Sequence, residues 1–126
     1  MTQVVYDAGA LVAADRNSRA FWLDHRVRLE QGIVPVVPAA VVAQVSRSAR
    51  QVPLRRLLKG CDVAVLDEDA AHRAGRLLAM AATSDVVDAT VAVLAADLGA
   101  LVLTSDRHDI ERLLDVDGTS ATVIEV

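Results

Sequence analysis

Three aspartates stand where apolar runs give way to turns. Asp7 follows Val4-Val5-Tyr6, and Asp106 lies two residues beyond Leu101-Val102-Leu103-Thr104. Asp88 falls in the opening turns of a helix predicted to begin near Ser84 and Asp85. In an open parallel sheet the carboxyl ends of the strands share one edge, and ligands bind in the crevice there. Carboxylates gathered at such an edge repel one another unless a cation or shared protons neutralise them. Hard divalent ions, Mg2+ or Mn2+, take oxygen ligands of this kind. The pattern points to metal-dependent hydrolysis of phosphate esters, with a nuclease as the leading case.

Each acidic residue also has a plain structural explanation. Asp7 could cap the helix that follows it, as Asp commonly does. Asp85 and Asp88 are spaced i, i+3 on one helix face near its N-terminus, where the macrodipole favours negative charge. That accounts for Asp85, as a cap or outer support for the site. It accounts less well for Asp88, which falls beside the apolar positions Val87, Val91 and Ala92. In Thr104-Ser105-Asp106-Arg107-His108-Asp109, turn chemistry alone selects Thr, Ser and Asp, and Asp109 either adds a fourth carboxylate or caps the next helix. The weight lies in the combination. His25, His72 and His108 share no metal-ligand spacing and are expected on the surface.

The elements that must position these residues alternate between strand and helix. Strands are predicted at 3–7, 33–37, 62–66, 100–104 and 121–125. Helices are predicted at 9–14, after a turn permitted by Gly9, from a cap at Asn17 or Ser18 to Gln31, and at 39–50, 54–59, 68–82, 85–98 and 108–114. The second helix carries an expected apolar stripe of Phe21, Trp22, Val27 and Leu29. Pro35 places the second strand at or near an edge. Alternation of this kind means an α/β fold, a three-layer α/β/α sandwich with a mainly parallel sheet, in one domain over residues 1–126.

Composition agrees. Hydrophobic residues are 53% of the chain and aromatics only 2%, so the core must be Val, Leu and Ala. Such a core suits strands covered on both faces. No apolar run reaches the ~18 residues that span a bilayer, and Met1-Thr2-Gln3 leads into the first strand without a basic segment. A cytoplasmic protein with neither signal peptide nor membrane span is expected. A lone cysteine, Cys61, excludes an internal disulfide and a cysteine-built zinc site. The net charge of −4 opposes general affinity for nucleic acid. Yet all the basic residues but Lys59 are arginine, the side chain best shaped for phosphate. Arg47, Arg50, Arg55, Arg56 and Lys59 form a basic run that is either a solvated face or a partner- or RNA-facing surface.

Two other phosphate-handling classes place an aspartate after the first strand. Haloacid-dehalogenase-type phosphatases need a second Asp two residues on, where Gly9 stands. Receiver domains need a lysine after a late strand, and Lys59 is in the wrong region.

Four segments together, in order and spacing, resemble PIN domains. They are Asp7-Ala-Gly-Ala-Leu, Pro38-Ala-Ala-Val-Val-Ala-Gln-Val, Asp88-Ala-Thr-Val-Ala and Leu103-Thr-Ser-Asp106. The resemblance spans the whole chain, and a free-standing domain of this length is similar to the toxin of a VapBC-type toxin–antitoxin pair. It implies a sheet with the N-terminal strand near its centre and a Mg2+- or Mn2+-dependent endoribonuclease. It also implies a homodimer and a cognate VapB-like antitoxin that blocks the site. Carried over by position, Asp7, Asp88 and Asp106 would be the acidic, metal-holding residues, with Thr104 or Ser105 a nearby hydroxyl. Gln44 departs from the pattern, standing where PIN domains usually have a glutamate. It can accept a hydrogen bond but supplies no charge, unless Glu30 or Asp109 compensates. An alternative function follows from that departure, a PIN-like module weakened or inactive in catalysis that acts by binding a partner.

Overall fold

The computed structural model describes residues 2–126, so Met1 of the N-terminal reading lies outside the described residues. Five strands form one sheet in the order β3-β2-β1-β4-β5: β1 Val4–Tyr6, β2 Val36–Pro38, β3 Asp62–Ala64, β4 Leu101–Thr104 and β5 Val123–Glu125. Every pairing is parallel, with Val5 opposite both Val36 and Val102. β1 is central and buried throughout, which is why its side chains read as a continuous apolar run without alternation. The chain builds β2 and β3 to one side of β1, then crosses to build β4 and β5 on the other. The reversal falls between β1 and β4, and the carboxyl ends of those two strands are where such sheets hold ligands.

Among the described residues seven helices cover the sheet: α1 Ala8–Asp15, α2 Arg19–Glu30, α3 Ala39–Val45, α4 Val52–Lys59, α5 Glu68–Ala81, α6 Val86–Leu98 and α7 Arg107–Asp117. α1 packs with α2, α3 and α4, whereas α6 packs with α5 and α7 and also meets α3. α6 is apolar around most of its circumference, with Ala89, Val91, Ala92, Val93 and Ala95 all buried. Arg73 of α5 binds Asp97 near the end of α6 and Asp117 at the end of α7, tying the three helices together. Among the described residues no single helix is long and apolar enough to cross a membrane.

Several boundaries differ from expectation for local reasons. β2 begins at Val36 rather than residue 33, because Pro35 has no N–H and contributes only its carbonyl, to Asp62. β2 is nevertheless next to the edge, as Pro35 suggested. α3 stops at Val45 rather than 50. Ser46 turns extended, Arg47 donates to the carbonyls of Ala43 and Ser46, and the Gln51 amide oxygen accepts from Arg47 and Ser48 N–H. Asp85, not Ser84, caps α6, and Ser18 caps α2. β3 and β5 are shorter than expected, while α7 is longer.

The largest correction concerns α2. Val27 and Leu29 are exposed, and the buried stripe is Phe21 and His25, with Trp22 half-buried beside them. His25 is therefore not a surface histidine, unlike His72 and His108. Its Nδ1 lies 2.8 Å from the Tyr6 hydroxyl, which itself accepts from Arg28 at 3.1 Å. Since Arg28 only donates, the phenol proton goes to His25, which sits neutral with its Nδ1 accepting. Burial, and then the Arg28 charge, push the His25 pKa down. Burial pushes the Tyr6 hydroxyl up to about 12. Removing the phenol should leave His25 Nδ1 buried without a partner. Tyr6→Phe is expected to lose ~1–3 kcal/mol in urea unfolding. An unchanged midpoint would show that the bond contributes nothing.

Candidate metal centre

Asp7 ends β1 and is the N-cap of α1, so the cap explanation holds, but it uses only one carboxylate oxygen. Oδ1 accepts from Ala8 N–H at 2.7 Å. Oδ2 accepts from the Thr104 hydroxyl at 2.6 Å, across from β1 to β4. The same Thr104 oxygen accepts from Asp106 N–H at 2.9 Å. One buried hydroxyl thus couples Asp7 to the main chain of Asp106. Thr104 is wholly buried and is the hydroxyl at this site; Ser105 is exposed, beside Gly9.

Asp106 stands at the N-cap of α7, yet its side chain makes no capping bond. Asp88, in the first turn of α6, is 4% exposed. Its main-chain N–H donates to Asp85 at 3.0 Å, and its own carboxylate has no donor among the described residues. Carboxylate oxygens of Asp7, Asp88 and Asp106 all lie within 4.8 Å of one another. Residues separated by most of the chain meet because β1 and β4 are neighbours and the N-terminus of α6 reaches the same edge.

The remaining candidates divide. Asp85 is the cap of α6 and raises the negative potential at Asp88. Asp109 lies in the first turn of α7, exposed, in a small depression shared with Thr83, Asp85, Asp88 and Arg112. Gln44 is exposed on α3, and no hydrogen bond ties it to the three aspartates among the described residues. Glu30, the other suggested replacement, pairs with Arg26 on the surface of α2. Within the basic run Arg47 and Arg55 bond to nearby carbonyls, and Arg56 lies 4.8 Å over the Trp22 ring. Two residues were placed differently by sequence reasoning. His25 carried no motif, and Gly9 was read as a turn residue although it lies within α1 without a left-handed backbone.

Charge repulsion is visible in the proton equilibria. Burial pushes the Asp7 carboxyl up; bonds from Thr104 and Ala8 oppose this, and Asp106 and Asp85 reinforce it. Asp88 is pushed to about 7, first by burial and then by Asp85, Asp7, Asp106 and Asp109. Asp88 is thus the carboxylate at this edge that stays partly protonated near neutrality. An all-carboxylate oxygen set that resists full ionisation suits a hard divalent ion.

A folded-state carboxyl pKa above the ordinary 3.8 means the native state binds more protons than the unfolded chain. The Asp88 contribution to stability is then greatest at low pH and is lost as pH rises through about 7. Asp88→Asn should therefore raise the metal-free melting temperature by several degrees at about pH 8, with the gap closing towards about pH 5. Mn2+ should raise the melting temperature of the wild type and not of the variant. Differential scanning calorimetry across pH checks both, and a variant less stable than wild type at the alkaline end contradicts them.

No protein-family model matches the sequence, and no curated protein matches it. Solved structures do match the fold. VapBC2 from Rickettsia felis, bound to a DNA fragment from their promoter, gives a TM-score of 0.72 at 12% identity, over 99% of both chains. DNA-bound VapBC from Salmonella typhimurium gives 0.70 at 14%, over 99% of this chain and 98% of the other. PAE2754 from Pyrobaculum aerophilum gives 0.64 at 20%, over 99% and 91%. At these identities the likeness establishes architecture. The three-layer sandwich around a parallel sheet, read from the alternation of elements and from four short motifs, is the PIN-domain fold.

Proposed function

We propose that this protein is a Mg2+- or Mn2+-dependent endoribonuclease, the toxin of a toxin–antitoxin pair. The observation that carries the reading is the convergence of Asp7, Asp88 and Asp106 at the reversal point of the sheet. Fold likeness to chains of VapBC complexes supports the toxin role and a cognate antitoxin as partner. RNA as substrate and a homodimeric state belong to the same reading.

Asp7 and Asp88 would hold the ion, with Asp106 completing the set. When bound, a divalent ion of this kind acidifies water and neutralises charge developing on the phosphoryl oxygens. Asp7 is held rigid from two sides, which fixes its orientation without consuming its remaining lone pairs. Asp106 is exposed, with no capping bond on its side chain, so it can orient the attacking water or take its proton. Asp88, pushed up to about 7 by burial and its acidic neighbours, would have to be ionised to hold a cation.

The second reading, a PIN-like module without catalysis, is favoured by Gln44, which removes one carboxylate from the expected set. Calorimetric titration separates the two: absence of binding at millimolar Mg2+ or Mn2+ supports the non-catalytic module. For the nuclease, Asp7→Asn and Asp88→Asn should each lower cleavage of labelled RNA by ~100-fold or more with circular dichroism unchanged. Full activity in Asp7→Asn would overturn the assignment. In an induced-expression growth assay, wild type should arrest growth and Asp88→Ala should not.

A further inference from the structure

Gly9 is the second residue of α1 and lies two positions beyond Asp7. Its backbone is not left-handed, so no conformational demand explains it, and glycine is a poor residue for a helix. The explanation lies across the sheet edge. A Cβ built on Gly9 would stand 2.7 Å from Ser105 Oγ, 2.8 Å from Ser105 Cβ and 2.9 Å from the Ser105 backbone nitrogen. All three fall below the 3.0 Å that real Cβ atoms essentially never breach. The hydroxyl can rotate away, but the backbone nitrogen cannot. It is followed directly by Asp106, whose N–H is bonded to Thr104.

We propose that Gly9 is a positioning residue for the acidic site. Its missing side chain lets the Ser105 main chain close onto α1 and so sets how near Asp106 stands to Asp7. The inference rests on the divalent-ion reading of the trio. A methyl group at position 9 has to displace one partner. α1 is pinned from behind by Ala10, Leu11 and Ala14, all fully buried, whereas Ser105 and Asp106 face solvent. The segment carrying Asp106 is therefore the side that yields, and Asp106 moves away from Asp7.

Two measurements on purified Gly9→Ala test this. Titration with Mn2+ alone should show affinity reduced ~10- to 100-fold, the range seen when groups supporting a metal ligand are altered. In the metal-free protein, amide hydrogen exchange at Asp106 should accelerate and the Ser105 and Asp106 resonances should shift, with the rest of the spectrum retained. Gly9→Ala combined with Ser105→Gly removes two of the three close approaches and should recover part of the affinity. Ser105→Gly alone should bind Mn2+ like the wild type. Unchanged exchange and resonances at residues 105 and 106 in Gly9→Ala overturn the proposal, as does a double variant no better than the single one. A wild type that binds no Mn2+ refutes the ion reading instead, and the exchange measurement still decides whether Gly9 positions Asp106.

Discussion

Three carboxylates held within 4.8 Å of one another, two of them buried, are an arrangement that water and chain entropy both oppose. The fold has to supply the opposing forces. Three helix N-termini meet at this edge, with Asp7, Asp85 and Asp106 at the N-caps of α1, α6 and α7. Each brings partial positive charge from its unpaired N–H groups. Thr104 adds a hydrogen-bond donor to Asp7, and partial protonation of Asp88 near neutrality lessens the repulsion. These terms make the cluster tolerable without making it neutral, and the residual negative potential is what would draw a cation on the proposed reading.

The rigidity of the site follows from which elements carry it. Asp7 and Asp106 hang from β1 and β4, adjacent strands paired residue for residue, and Thr104 ties the two together beyond the last ladder pair. Asp88 comes from α6, which is buried continuously from Asp88 to Val93 and so has little freedom to shift there. Catalytic groups on strand ends and a core helix keep their spacing better than groups on free loops. Asp85 holds the Asp88 main chain as the cap of α6 and, like Asp109, adds negative charge near Asp88, while both lie outside the trio.

Much of this was legible in the residues. Alternating element types determine a parallel sandwich, and an acidic residue after a buried strand has few purely structural uses. The topological position of Asp7 and Asp106 was readable before any contact was known. What escaped notice depends on tertiary neighbours. His25 looks like a surface histidine on α2 because nothing local marks Tyr6 as its partner nineteen residues earlier. Val27 and Leu29 fit a helical stripe, yet the chain presents the face of Phe21 and His25 to β1 instead. The true end of α3 depends on the Gln51 side chain folding back, an interaction that residue periodicity cannot express. Gly9 was misread for the same reason, since its meaning lies in a loop almost a hundred residues away.

On the proposed nuclease reading, Gln44 would bear on function through charge balance as much as through ligand number. Three ionised carboxylates and one divalent ion leave a single net negative charge, and a fourth carboxylate would leave two. A phosphodiester is itself an anion, so each surplus negative charge at the site works against its approach. On the nuclease reading, a neutral residue where PIN domains usually carry a glutamate would weaken the hold on a cation and at the same time lower the electrostatic barrier to an anionic substrate. The two effects act on different quantities, cation affinity and substrate affinity. Loss of a charge at that position is consistent with an enzyme that needs more metal for half-saturation while keeping its turnover at saturating metal. That profile separates a working site with fewer charges from one that has stopped cutting, because in a dead site no concentration of cation restores cleavage.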